Sequence, residues 1–99
     1  MDREQVMALL RQQRSFLAAE YGVTRIGLFG SYAHGAPGPV SDVDLLVEFE
    51  RPIGLRFVEL AEYLEDVLGK KVDLLTPESI RGIRLPSVAI EIEKSVIYV

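Results

Sequence analysis

Asp42 and Asp44 stand two apart at the head of the run DVDLLVEFE, which is otherwise apolar enough to be a strand. Residues two apart in a strand project from one face, roughly 7 Å between their Cα atoms. The two carboxylates can therefore reach a common point above a sheet, where they repel and resist ionising together. A divalent cation reverses that repulsion, and Mg²⁺ takes oxygen ligands, commonly one or two carboxylates plus substrate phosphates. A third carboxylate, Asp73, lies in another short apolar run, KVDLLT. If the two runs are neighbouring strands, the three aspartates can hold two metal ions that activate an attacking oxygen and stabilise a leaving phosphate. Upstream, Gly30 lets backbone approach a ligand closely, and Ser31 opens a turn whose amides and hydroxyl can face a phosphate. Phosphate, metals and carboxylates in that order are a layout for nucleotidyl transfer. Each piece alone also has a plainer reading. Asp-X-Asp can be a solvated face, Gly-Ser ordinary turn chemistry, and Asp73 a local hydrogen-bonder at a strand edge. The combination and its spacing carry the chemical reading.

The elements that must position these residues are short. Residues 2–20 predict an amphipathic helix through Val6, Leu9, Leu10, Phe16, Leu17 and Tyr21, stopped at Gly22. VTRIGLF (23–29) predicts a strand, Gly30 and Ser31 turn the chain, and SYAH can make one helical turn. Pro37 and Pro39 lack backbone donors, so residues 34–41 form a loop, the one long enough to suggest function. The strand at 42–50 sends Asp42, Asp44, Leu46 and Glu48 one way and Val43, Leu45, Val47 and Phe49 the other. Residues 54–68 predict a helix through Leu55, Val58, Ala61, Leu64 and Leu68, closed at Gly69. A strand at 71–76 stops at Pro77, and PESIRG follows as a short helix or turn. The tail PSVAIEIEKSVIYV fits either periodicity; we read a helix from Pro86 with VIYV extended. The order α-β-turn-β-α-β-α predicts an α/β (α+β) fold, a small mixed sheet backed by helices.

Composition narrows the classes. The chain has 99 residues, read as a single domain over 1–99, with 48% hydrophobic and 26% charged residues, an ordinary globular balance. A net charge of −4 disfavours direct binding to nucleic acid, which needs a basic footprint, and suits a protein partner or a metal-bridged anion. No cysteine is present and His34 is the single histidine, so thiolate zinc sites, cysteine nucleophiles and multi-histidine metal sites are excluded. No run approaches 18 apolar residues and the N-terminus is charged and periodic, so we expect a cytoplasmic protein with no membrane contact.

Gly30-Ser31, ten intervening residues, then Asp42-Val43-Asp44 resembles the signature of the polymerase-beta-like nucleotidyltransferase superfamily. The short length and the phrase SDVDLLV look like its minimal nucleotidyltransferase branch, MNT, which commonly supplies the antitoxin half of HEPN/MNT toxin–antitoxin pairs. KVDLLTPESI looks like the family's third-carboxylate strand, so the resemblance spans nearly the whole chain. It implies that Gly30 and Ser31 hold nucleotide phosphates and that Asp42 and Asp44 bind Mg²⁺. Asp73 would be the third carboxylate and assist deprotonation of the acceptor hydroxyl. Where the family often has Arg, position 34 is His. A neutral imidazole grips phosphate less firmly than a guanidinium, so His34 is either a structural turn residue or a weaker, pH-dependent phosphate contact.

The resemblance thus implies an enzyme, an antitoxin that transfers AMP from ATP to a hydroxyl, a tyrosine, of a cognate HEPN toxin in a hetero-oligomer. The size of the chain argues in the same direction. Larger transferases hold their acceptor with further domains, and here a bound partner or a second copy of the chain would bring it in. Two other readings stay open: an antitoxin that occludes its toxin without chemistry, and a small-molecule nucleotidyltransferase completed by oligomerisation. The apolar tail VAIEIEKSVIYV is either core or a surface covered by another chain.

Overall fold

Period-2 alternation in the strands and helical periodicity on either side of them divide the apolar residues between two faces of one sheet. The computed structural model describes residues 2–33, 42–82, 90, 92 and 94–99. In chain order they form α1 (Arg3–Tyr21), β1 (Val23–Phe29), α2 (Gly30–Ala33), β2 (Val43–Phe49), α3 (Arg56–Leu68), β3 (Val72–Leu75), α4 (Pro77–Arg81) and β4 (Ile97–Tyr98). The sheet order is β3-β2-β1-β4. β1 is antiparallel to β2 and β4, while β2 and β3 are parallel, joined by the α3 crossover that parallel neighbours require. The expected mixed sheet with helices is what forms. The predicted loop at 34–41, with His34, and the predicted helix start at Pro86 lie outside the described residues. Within the tail, residues 90, 92, 94 and 95 are helical and 97–98 extended.

The larger core lies under α1 and α3. Val43, Leu45 and Val47 of β2 meet Val6, Leu10 and Leu17 of α1 and Leu60, Leu64 and Leu68 of α3 there. On the opposite face Leu46 packs with Phe29 and Ile80, flanked by Leu75, Ile92, Val96 and Tyr98. The predicted alternation along β2 therefore holds, and the tail contributes to the second core. In β1 a bulge between Val23 and Arg25 changes the phase, so Val23, Ile26 and Leu28 all enter the larger core.

α1 begins with a capping box in which Asp2 accepts from the Gln5 amide and Gln5 accepts from the Asp2 amide. Phe16 is not in its buried stripe as predicted. It is 43% exposed, packs against Tyr63 and meets the buried Tyr21 ring edge-to-face. The stripe predicted for α3 is also partly wrong: Leu55 is 94% and Val58 60% exposed, and the buried positions are Leu60, Leu64 and Leu68. Val58 lies two residues, roughly 200° of helical turn, from Leu60, so both cannot face one core. Arg56 joins the two long helices. It donates to the Glu20 carbonyl and carboxylate at 2.8 Å each and to Glu59 at 3.1 Å, with its guanidinium over the Tyr21 ring. No described helix is long and apolar enough to cross a membrane.

Candidate active site

Asp42 directly precedes β2, Asp44 is the second residue of β2, and Asp73 the second of β3. Because these strands are parallel and in register, Asp44 pairs with Asp73. On its other side Asp44 pairs with Phe29, the last residue of β1. A row of Asp73, Asp44 and Phe29 thus crosses the sheet on the face that carries Leu46 and Leu75. Asp42 and Asp73 are exposed and Asp44 half-buried. The three aspartates predicted from the sequence come to one end of one face.

Burial pushes the Asp44 carboxyl above the ordinary carboxylate range, and repulsion from Asp73 and then Asp42 pushes it further. Among the described residues, none of the three forms an ion pair with a lysine or arginine. Nor are any three carboxylate or imidazole side chains among the described residues close enough as they stand to hold a metal ion between them. Like charge on one half-buried and two exposed carboxylates, unpaired with any described cation, fits a divalent cation that shares its coordination with substrate phosphates, as Mg²⁺ commonly does. The donor chemistry therefore suits the metal that the sequence implied.

Gly30 follows β1 and opens α2 with φ +73°. A Cβ built there would collide with the Asp44 carboxylate, lying 2.9 Å from its Cγ. Glycine is required twice over, by the left-handed backbone and by the carboxylate packed on its Cα. Ser31 comes next, partly exposed, while Tyr32 and Ala33 are buried and anchor the turn. The Gly-Ser turn and the Asp pair, ten residues apart in sequence, are in contact through Gly30 and Asp44.

Three contributors were not foreseen. Phe29 and Leu46 form an apolar floor beside the carboxylates. Gly27 leaves room for the chain crossing β1, since a Cβ there would meet Val96 and would lie 2.9 Å from Tyr98 Cδ1. Arg3 Nη1 donates to the Ala33 carbonyl at 3.1 Å. Only the last involves a residue type that sequence reading tests for, and its partner is a backbone atom 30 residues away. A concavity of about 700 Å³ among the described residues lies elsewhere, between the loop after β2 and α4, with Phe49, Arg51, Phe57, Thr76 and Arg81 among its walls. Its walls begin at Val47, roughly 10 Å along β2 from Asp44 at the strand rise. Size alone does not make it the reactive site: the like-charged carboxylates, two of them exposed, are toward the other end of β2.

The nucleotidyltransferase domain family matches residues 10–99 of the chain. The protein adenylyltransferase MntA of Thermococcus cleftensis is 40% identical over 97 residues, covering 97% of this chain and 94% of that protein. A Methanocaldococcus jannaschii relative, provisionally named a protein adenylyltransferase, is 43% identical over 98 residues, covering 96% and 95%. Among solved structures, one described provisionally as a minimal nucleotidyltransferase superposes with a TM-score of 0.76 at 35% identity, covering 98% of this chain and 95% of that one. A toxin–antitoxin structure with AMP-PNP shares the fold at 23% identity and a TM-score of 0.64, covering 99% and 72%. The chain belongs to the nucleotidyltransferase domain family, and with it to the enzymes that transfer nucleotidyl groups.

Proposed function

We propose that residues 1–99 form a single MNT-type domain that transfers AMP from ATP, with Mg²⁺, to a hydroxyl of a cognate HEPN-family toxin and so neutralises it. The acceptor in this reading is a tyrosine, the complex a hetero-oligomer, and the compartment the cytoplasm. The observation that carries the reading is the registered Asp44–Asp73 pair packed against Gly30, with Asp42 adding to the same charge. The protein-adenylyltransferase names of the relatives support a protein acceptor. The toxin–antitoxin structure of the same fold supports a toxin partner and an adenine nucleotide.

In this mechanism Asp42, Asp44 and Asp73 would hold Mg²⁺, two ions in our reading, while Gly30 and Ser31 would seat the phosphates. Bound Mg²⁺ supplies the positive charge that offsets the phosphate oxygens and the leaving pyrophosphate. The acceptor oxygen attacks the α-phosphorus as the bond from that atom to the bridging oxygen breaks, and pyrophosphate leaves. Asp73, exposed at the start of the edge strand, assists deprotonation of the acceptor hydroxyl. The exposure of Asp42 and Asp73 among the described residues suits an acceptor that arrives on another chain.

Purified chain, HEPN partner, labelled ATP and Mg²⁺ test the reading together. An AMP-sized mass should appear on the partner and not on unrelated proteins. Asp42→Asn with Asp44→Asn should keep the complex and lose the modification. Full neutralisation of the toxin in cells by that double variant would make occlusion the mechanism instead.

A further inference from the structure

We infer that Arg3, at the far end of the sequence from the aspartates, is a positioning residue for the phosphate-binding turn; this rests on the proposed function. α2 has four residues, one turn. A single turn does not sustain itself, because fixing its backbone costs more than its few hydrogen bonds return. Its shape must come from outside. At its start Gly30 is held against Asp44, and its middle is anchored by buried Tyr32 and Ala33. Its end has carbonyls with no partner within the turn. One of them, Ala33 O, accepts from Arg3 Nη1 at 3.1 Å in a partly buried contact.

Arg3 is itself mounted on a fixed support. The Asp2–Gln5 capping box defines the first turn of α1, and Val6 and Met7 are buried immediately after it. A cation in the first turn of a helix opposes the helix dipole, so local helix energetics give no reason for arginine here. The neighbouring Glu4 is 3.8 Å away and exposed, which makes that pair a weak competitor for the guanidinium. The tertiary bond to Ala33 is the contact that accounts for the residue. Loss of it frees the C-terminal end of α2, and with it the distance between Ser31 and Asp44. Misplacement of about 1 Å in a reacting assembly can cost on the order of 10²-fold in rate.

The full chain carries the test, as wild type, Arg3→Met, Arg3→Lys and Arg56→Met. Arg56→Met is the control, because it removes another exposed, multiply bonded arginine that joins α1 to α3 without touching α2. The readouts are KM for ATP and kcat in AMP transfer, the melting temperature, and its shift on adding ATP with Mg²⁺. Arg3→Met should raise KM for ATP roughly tenfold, the size of one charge-assisted hydrogen bond, and shrink the ligand-induced shift. Arg3→Lys should recover part of both. Arg56→Met should lower the melting temperature and leave KM unchanged. If Arg3→Met loses stability but keeps the wild-type KM and ligand shift, Arg3 is only a structural tether and the inference fails alone. A wild-type chain with no response to ATP and Mg²⁺ overturns the functional proposal and this inference together.

Discussion

Burial and the neighbouring charges of Asp73 and Asp42 hold the Asp44 carboxyl above the ordinary carboxylate range, so folding favours its neutral form. A carboxyl raised in the folded state contributes stability that is fully present below its unfolded pKa and lost as pH rises through its folded pKa. At pH 7 the ionised residue therefore works against the fold. Asp44→Asn should be more stable than wild type at pH 7, and the difference should vanish as pH falls below the usual carboxylate range. Urea denaturation across pH measures it, and equal stability of the two proteins at pH 7 would remove the strain assigned to Asp44. Gly30→Ala tests the other half of the contact. The left-handed backbone alone should cost about 1–2 kcal/mol, and the displaced carboxylate should also abolish the stabilisation by ATP and Mg²⁺. The shared face of Asp42 and Asp44 was legible from strand alternation. The packing of Asp44 on Gly30 was not, because sequence spacing gives no distance across a connection whose path is unknown.

The same limit recurs among the elements. Helix α3 and its N-cap residue carry apolar side chains at 55, 57, 58, 60, 61, 64, 67 and 68, enough for more than one stripe, and the sheet decides which is buried. The sequence reading followed Leu55 and Val58, which face solvent; Leu64 and Leu68 were read correctly. Leu64→Ala should cost about 2–5 kcal/mol, the range for truncating a buried leucine. Leu55→Lys and Val58→Lys should each stay within about 0.5 kcal/mol of wild type, as exposed substitutions usually do. Thermal or chemical unfolding separates the two outcomes, and a large loss in the lysine variants would restore the predicted stripe. In β1 the bulge near Thr24 was also hidden, since an extra residue in a strand becomes visible only against its partner. Strong local signals fared better. Thr76 before Pro77 caps α4, accepting from the Ser79 amide, in the short helix that PESIRG allowed.

Across the whole molecule, the order of elements was enough to predict a mixed sheet backed by helices, because short crossovers and hairpins leave few alternatives. The position of the last strand was less accessible: β4 is two residues long and pairs with β1, far from it in sequence. β2, in contrast, is bonded along both sides, to β1 and to β3, and both cores close over it. This difference sets a hierarchy of opening times. Edges with few hydrogen bonds exchange by small local excursions, whereas an interior strand exchanges mainly when most of the structure opens. Deuterium should enter Ile97 and Tyr98 well before Leu45 and Val47, and comparable rates would argue against β2 as the most persistent element. Asp44 sits on that strand. Its carboxylate is carried by backbone among the last to let go, and the Gly30–Ala33 turn facing it is tied to the same core through Tyr32 and Ala33.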